Sequence, residues 1–287
     1  MSFEIPISYV EQFSANVHML SEQQMTRLGM TVMREDVTGE SFAKERIGSV
    51  EAQLVANLHG DTPLNSTPHS RRWGYIKDYD VADLIDKESD GKLLIDPQSR
   101  YTMRHASAMA RAKDDEIIRA LGGTAQAGKN GTTAVALPSV QQIAVGATGL
   151  TTAKLRTAKR TLDAAEVDEF IPRFCAISAR QLEDLLTDSN VINSDFATVK
   201  ALVQGEVNTW LGFNFVRTER LLLDGSGDRL CYAYAMMAVT LGMQRDTSSV
   251  VAPRPDKRMS QQVYTWMSLG AVRVEDEMVV EIACDEP

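Results

Sequence analysis

The run GTAQAGKN, Gly123 to Asn130, is where residue types and spacing come nearest to a reaction centre. It approaches the GxxxxGK[ST] pattern, whose backbone amides cradle phosphates and whose final hydroxyl ligates magnesium. Asn130 stands at that final position and brings no hydroxyl. The run also follows a helical stretch, whereas a phosphate cradle joins a strand to a helix. It reads as a Gly-rich connector. His18, His59, His69 and His105 show no HExxH or related ligand spacing. Acidic pairs such as Asp114-Asp115 and Asp83-Asp86 need a cleft before they do chemistry. Ser178 lies outside a GxSxG elbow, and the loop DGSGD, Asp224 to Asp228, lacks the downstream glutamate of a calcium site. No catalytic, cofactor-binding or metal-ligating residue is assigned, and no enzymatic activity is expected. A nucleotide-binding enzyme using 123–130 is the competing class.

The elements that would position such groups start from one helix. Pro97 to Leu121 opens on Asp96-Pro97, tolerated in a first helical turn, and closes on Gly122-Gly123. At roughly 1.5 Å per residue it is a rod of about 37 Å. Its apolar face reads as Met103, Ala106, Ala110, Ile117 and Leu121. The alternative face, Tyr101, His105, Met109, Ala112, Glu116 and Ala120, is broken by His105 and Glu116.

Composition bounds the rest. A chain of 287 residues, 44% hydrophobic and 24% charged, holds one large domain or two smaller ones. A net charge of −9 argues against a general nucleic-acid binder. Cys175, Cys231 and Cys284 form no CxxC pair and suit buried, reduced thiols. No apolar run approaches a membrane span, and MSFEIPISYVEQ lacks the features of a signal peptide. The expectation is a protein made and folded in the cytoplasm.

Around the helix the chain divides. In residues 1–56, Tyr9, Phe13, Val17, Leu20 and Leu28 recur at helical spacing, but the stretch is too poor in large apolar groups to core itself. From Gly60 to Pro97 two Thr-Pro steps favour extended backbone. A turn at Ser89-Asp90-Gly91 suggests a two-stranded projection carrying Arg71, Arg72, Trp73, Tyr75, Leu84, Leu93 and Leu94. Such a hairpin is marginal alone, so these residues are candidate inter-subunit contacts. After a short strand at Thr133–Leu137, Leu150 to Asp168 reads as a helix whose cations Lys154, Arg156, Lys159 and Arg160 form a solvated face. Phe170 to Ile177 suits a strand that Pro172 places at an edge. Ser178 then caps a helix with Gln181 three residues on. Further elements are a helix near Asp195–Val203 and a strand at Leu211–Arg217. Tyr232–Gly242 is left open between helix and strand. Ser260–Leu269 reads as a helix. In Ala271–Cys284 the even positions Val272, Val274, Met278, Val280, Ile282 and Cys284 are apolar and their odd neighbours Arg273, Glu275, Glu277 and Glu281 are charged, a half-buried strand or hairpin bent at Asp276.

Three stretches, quoted in order, carry a family resemblance. They are GDTPLNSTPHSRRWGYIKDYDVADLIDK with LLIDPQSRYT and RAKDDEIIRALGGTAQAGKNGTT; RFCAISARQLEDLLTDSNVINSDF with GEVNTWLGFNFVRTERL; and RPDKRMSQQVYTWMSLGAVRVEDEMVVEIAC. Together they resemble the major capsid proteins of tailed bacteriophages, the Hong Kong 97-type shell fold. The resemblance implies an α+β fold in four parts: an N-terminal arm (1–56), an extended loop over a neighbouring subunit (57–96), a peripheral domain (97–149 with spine helix 97–121, completed by 253–287) and an axial domain (150–252). It implies self-assembly through hexamers and pentamers into an icosahedral shell around double-stranded DNA, held on the inner face without sequence specificity. A separate scaffolding protein, a portal and a decoration protein are implied partners, with no membrane and no cofactor. The location implied is the virion, assembled in the host bacterial cytoplasm. An encapsulin-like cargo compartment is the alternative on the same fold.

Overall fold

The computed structural model describes residues 22–52, 54, 64–85, 97–187 and 209–286. In chain order these form β1 (Met33–Asp36), β2 (Ser41–Ile47), β3 (His69–Tyr75), β4 (Lys77–Ile85), α1 (Pro97–Gly122), β5 (Ala125–Ala127), β6 (Thr133–Val135) and β7 (Gln142–Ile143). There follow α2 (Thr152–Ala164), β8 (Arg173–Ile177), α3 (Ala179–Thr187), β9 (Thr209–Trp210), β10 (Phe213–Arg217), β11 (Arg229–Ala235), β12 (Val239–Arg254), β13 (Ser260–Arg273) and β14 (Val279–Cys284). Two compact units share them: Met1–Thr26, Asp78–Ala112 and Arg245–Ser268 in one, Arg27–Lys77, Lys113–Gln244 and Leu269–Pro287 in the other. Among the described residues no helix is long and apolar enough to cross a membrane.

The larger unit is cored by a six-stranded sheet in the order β7-β14-β11-β8-β10-β9. Cys231 to Ala235 in β11 are all fully buried. A strand covered on both faces shows no alternation, which is why periodicity left Tyr232–Gly242 open. β8 lies inside this sheet, with β11 antiparallel on one side and β10 parallel on the other. Pro172 does not force it to an edge, because it precedes the strand and removes no ladder donor. Leu155, Ala158 and Leu162 of α2 are fully buried, and the helix packs against β14 and β7. At the start of α3 the Ser178–Gln181 spacing closes half of a capping box: the Ser178 amide donates to Gln181 Oε1 at 3.2 Å.

A second sheet of this unit, β2-β3-β5-β6, contains the two-stranded projection. β2 pairs antiparallel with β3 from Ser41↔Tyr75 to Ile47↔His69, and Gly48 N–H continues the ladder to Pro68 O at 2.8 Å. Residues 41–47, read from sequence as part of the arm, therefore supply one strand, and 69–75 the other. The turn expected at Ser89-Asp90-Gly91, Leu93, Leu94, the helix near Asp195–Val203 and the Tyr9–Leu20 pattern lie outside the described residues. Leu28 is fully buried but sits in a turn.

In the smaller unit β4 lies beside β13. The helix expected at Ser260–Leu269 is strand β13 instead. Val263, Thr265, Met267 and Leu269 are buried while Gln262, Tyr264 and Trp266 are half-exposed. Tyr264 and Trp266 stack with centroids 5.2 Å apart, a same-face pair that only period two produces. His105 of α1 is buried, its Nε2 2.9 Å from an Asp83 oxygen and its Nδ1 3.3 Å from Thr265 Oγ1.

α1 itself runs where expected, but a different face is covered. Ile117 and Leu121 are buried as read, whereas Met103 is 50% exposed and Ala106 is exposed too. The covered positions include His105, Met109, Asp114 and Glu116. The polar groups that disqualified the second face are those with partners, which is what permits their burial.

Candidate functional site

The structure first disposes of the chemical candidates. GTAQAGKN forms β5 and the turn that leads into β6, with Gly128 and the following Gly131 at φ +87° and +68°. The turn is packed: Trp73 Nε1 donates to Gly128 O at 2.8 Å and Tyr75 Oη to Gly131 O at 3.4 Å. A side chain at Gly131 would collide with both rings. The chain continues into a strand, so the turn's amides do not converge at a helix N-terminus as a phosphate cradle requires. Calorimetry with ATP and magnesium is expected to show no binding that Lys129→Ala removes; micromolar affinity lost in that variant would restore the enzyme class. Asp114 is fully buried and accepts the Arg27 and Leu28 amides at 3.0–3.2 Å. Asp115 pairs with Arg220. In DGSGD the Asp224 carboxylate accepts the Ser226 and Asp228 amides, an Asx turn closed on itself. Burial pushes the Cys175 thiol well above its ordinary pKa, and a hydrogen bond with Cys284, with burial, does the same to Cys231. These are inert thiols. Among the described residues no cluster of three or more His, Cys, Asp or Glu could hold a metal.

The candidate contact residues separate by depth. Arg71 pairs with Glu45 across the β2–β3 ladder and lies over the Trp73 ring, 5.7 Å from its centroid. Arg72 is 5% exposed and bonded to Asp276, so its charge is spent inside the subunit. Trp73 is half-buried, while Tyr75 and Leu84 are exposed. The largest exposed apolar groups of the projection lie further out: Ile47, Val50, Leu54 and Leu64 are 69%, 50%, 95% and 96% exposed. Nothing in the sequence reading pointed to them, because it assigned no strand to 41–47, the segment that pairs with β3.

Two cations, Arg273 and Lys154, are buried although neither was expected to be inside. Arg273 is 1% exposed although it occupies an odd, charged position of the C-terminal alternation. Its Nε donates to Asp276 Oδ1 at 2.7 Å, and its other nitrogens to the carbonyls of Leu121, Gly123 and Val135. One guanidinium thus caps the C-terminus of α1, where a cation is favoured, and ties in β6. Asp276 gives its second oxygen to Arg72, which joins β3 to the β13–β14 turn.

Lys154, expected on a solvated face, is 8% exposed. Its Nζ donates to the carbonyls of Val145, Thr148, Gly149 and Ala283 at 2.7–3.0 Å. Burial lowers its pKa from the ordinary lysine value, and the carbonyl cage replaces the lost water. The cage pins the 145–149 loop to β14. Arg156 and Arg160, by contrast, are exposed as expected. Lys154→Met keeps the volume and orphans the carbonyls; a loss of about 2–4 kcal/mol is expected from denaturant unfolding. A loss below about 0.5 kcal/mol, within the scatter of surface substitutions, would show the cage to be dispensable.

Beside the base of β3 an open cleft of about 180 Å³ is walled by Trp73, Tyr75, Gln126, Ala271 and the last turns of α1. Glu116 sits on its floor, its side chain 4% exposed. Lys77 holds both carboxylate oxygens at 3.0 and 3.1 Å, and Arg119 holds one. Both cations remain more than half exposed.

Comparison with known proteins agrees with these features. A family model described as phage capsid protein matches residues 5–286. The capsid structure of the cyanophage P-SCSP1u superposes with a TM-score of 0.76 at 16% identity, covering 97% of this chain and 94% of that one. The head structure of Helicobacter pylori bacteriophage KHP40 gives 0.74 at 11% identity, covering 96% and 95%. Mycobacterium phage Che8 gives 0.72 at 16%, covering 95% and 96%. No curated protein sequence matches the chain significantly.

Proposed function

Since this chain belongs to the phage capsid protein family, we propose that its β2–β3 projection and exposed apolar surface are the contacts by which copies close into an icosahedral shell. That it is a capsid protein forming the phage shell follows from the family match over nearly the whole chain. The mixed helix-and-sheet fold is that of phage capsids. The finer reading is ours. The shell is built of hexamers and pentamers and encloses double-stranded DNA, with a separate scaffolding protein, a portal and a decoration protein as further partners. Assembly takes place in the host bacterial cytoplasm. The protein acts structurally, without catalysis. The arm, projection, peripheral and axial parts divide the labour, with the projection at 41–75.

One observation carries this: four large apolar side chains, Ile47, Val50, Leu54 and Leu64, stand 50–96% exposed at and beyond the β2–β3 strands. Monomeric proteins rarely leave such groups together in water. Negative-stain microscopy of the purified protein, alone and co-expressed with the scaffold from its own locus, is expected to show closed shells or capsomer-sized rings. Sedimentation showing a compact monomer under every such condition would overturn the reading.

A further inference from the structure

The cage around Lys154 has the make-up of an ion site. Its Nζ meets four neutral backbone oxygens, those of Val145, Thr148, Gly149 and Ala283, at 2.8, 2.7, 3.0 and 2.9 Å. An ammonium has three N–H bonds to give, so four acceptors in one shell exceed what hydrogen bonding alone can use. Backbone carbonyls standing in for a hydration shell are how proteins hold potassium, and potassium and ammonium are nearly equal in size. Lys154 is 8% exposed, so the carbonyls rather than bulk water supply that shell.

The oxygens are aimed without help from the lysine. Gly146 and Ala147 are both left-handed, at φ +57° and +49°, a costly conformation for a residue with a Cβ. Thr148 N–H closes that turn on Val145 O at 3.2 Å. Asp285 N–H donates to Thr148 O at 3.0 Å, which ties the loop to the end of β14 whatever occupies the centre. Asp228 and Asp285 add a negative field that favours a cation there.

We propose that the carbonyls of Val145, Thr148, Gly149 and Ala283 form a monovalent-cation site of potassium size, whose resident cation in this chain is the tethered ammonium of Lys154. Tethering makes closure of the 145–149 loop independent of the ions outside. Cutting the side chain back to Cβ opens the site: potassium takes the place of Nζ, and water in the space of the lost stem completes its shell. Lithium and sodium are too small to meet all four oxygens, because the loop's own hydrogen bonds hold them apart. The inference concerns the unassembled subunit and stands apart from the shell reading.

The test melts full-length Lys154→Ala, as unassembled subunit, in potassium, rubidium, sodium and lithium chlorides at one ionic strength. Wild type sets the baseline effect of each salt. Beyond that baseline, the alanine variant is expected to melt several degrees higher in potassium and rubidium than in sodium and lithium. The gain should rise with potassium concentration, as binding to the native state requires. Lys154→Met, whose stem still fills the channel, should show none. Thallium(I), another potassium-sized ion, should give the alanine variant a bound NMR line that potassium displaces and lithium does not. Lys154→Ser opens the same space and serves if the alanine variant does not fold. A salt response equal to that of wild type, or a gain as large in lithium as in potassium, would overturn the proposal. So would the absence of a displaceable thallium line, or failure of both opened variants to fold in potassium as in lithium.

Discussion

Arg273→Ala is expected to destabilise the unassembled subunit by about 3–5 kcal/mol, the range for breaking a buried ion pair. The wild-type guanidinium meets Asp276 and three backbone carbonyls while 1% exposed. Alanine orphans all four acceptors at once. Asp276 keeps Arg72, so its carboxylate is not left wholly bare, and this holds the loss below that of removing both cations. The carbonyls of Leu121 and Gly123 at the end of α1 lose their cation as well, a smaller effect of about 0.3–1 kcal/mol. Arg273→Lys should recover only part of the loss, because one ammonium cannot span a carboxylate and carbonyls from two elements as a planar fork does. Denaturant midpoints of the three proteins check this. Equal midpoints for Arg273→Ala and wild type would show that the network does not hold the helix end to the C-terminal hairpin.

That network also marks what the sequence could and could not disclose. The spine helix was legible because Pro97 and Gly122-Gly123 bracket it, signals that act locally. The Gln181 side chain reaching back to the Ser178 amide at the start of α3 was legible for the same reason. Arg273 was not, because alternation assigns faces by residue type and treats every charge as solvated. A guanidinium can instead be buried where carbonyls and a carboxylate from other elements converge, and that convergence is tertiary. Lys154 repeats the point, since its acceptors come from a loop and from β14. β13 misled in another way: Gln261, Gln262 and Met267 are good helix formers, and the Tyr264–Trp266 stack that favours a strand is visible only once a period is chosen. Strand β2 was missed because, with Lys44, Glu45 and Arg46, it looks like an unstructured charged stretch until β3 pairs with it. The cleft was invisible, since Lys77, Glu116 and Gln126 are far apart in the chain.

Trimming the projection should abolish closed shells while leaving the subunit folded. The ladder shows where to cut. Gly48 N–H reaches Pro68 O at 2.8 Å, so residues 49–67 can be replaced by a short Gly-Ser loop, which does not need the N–H that Pro68 lacks. The β2–β3 pairing survives, and so does the Arg72–Asp276 bond that a cut from Arg71 onward would destroy. What disappears is the exposed apolar load of Val50, Leu54 and Leu64. Each such side chain moved out of water contributes roughly 1.5–3 kcal/mol, against about 0–1 kcal/mol for an exposed ion pair such as Arg71–Glu45. Their loss therefore removes several kcal/mol from every inter-subunit contact they make, and a closed shell repeats that contact at each subunit. None of the described residues removed is buried, so the isolated subunit's denaturant midpoint should stay within experimental error of wild type. Leu54→Ser combined with Leu64→Ser should weaken assembly in the same direction without altering the backbone. Trimmed subunits that close into shells at the wild-type protein concentration would show that the projection is not the clamp. A trimmed chain that fails to fold would show that its tip belongs to the subunit's own core.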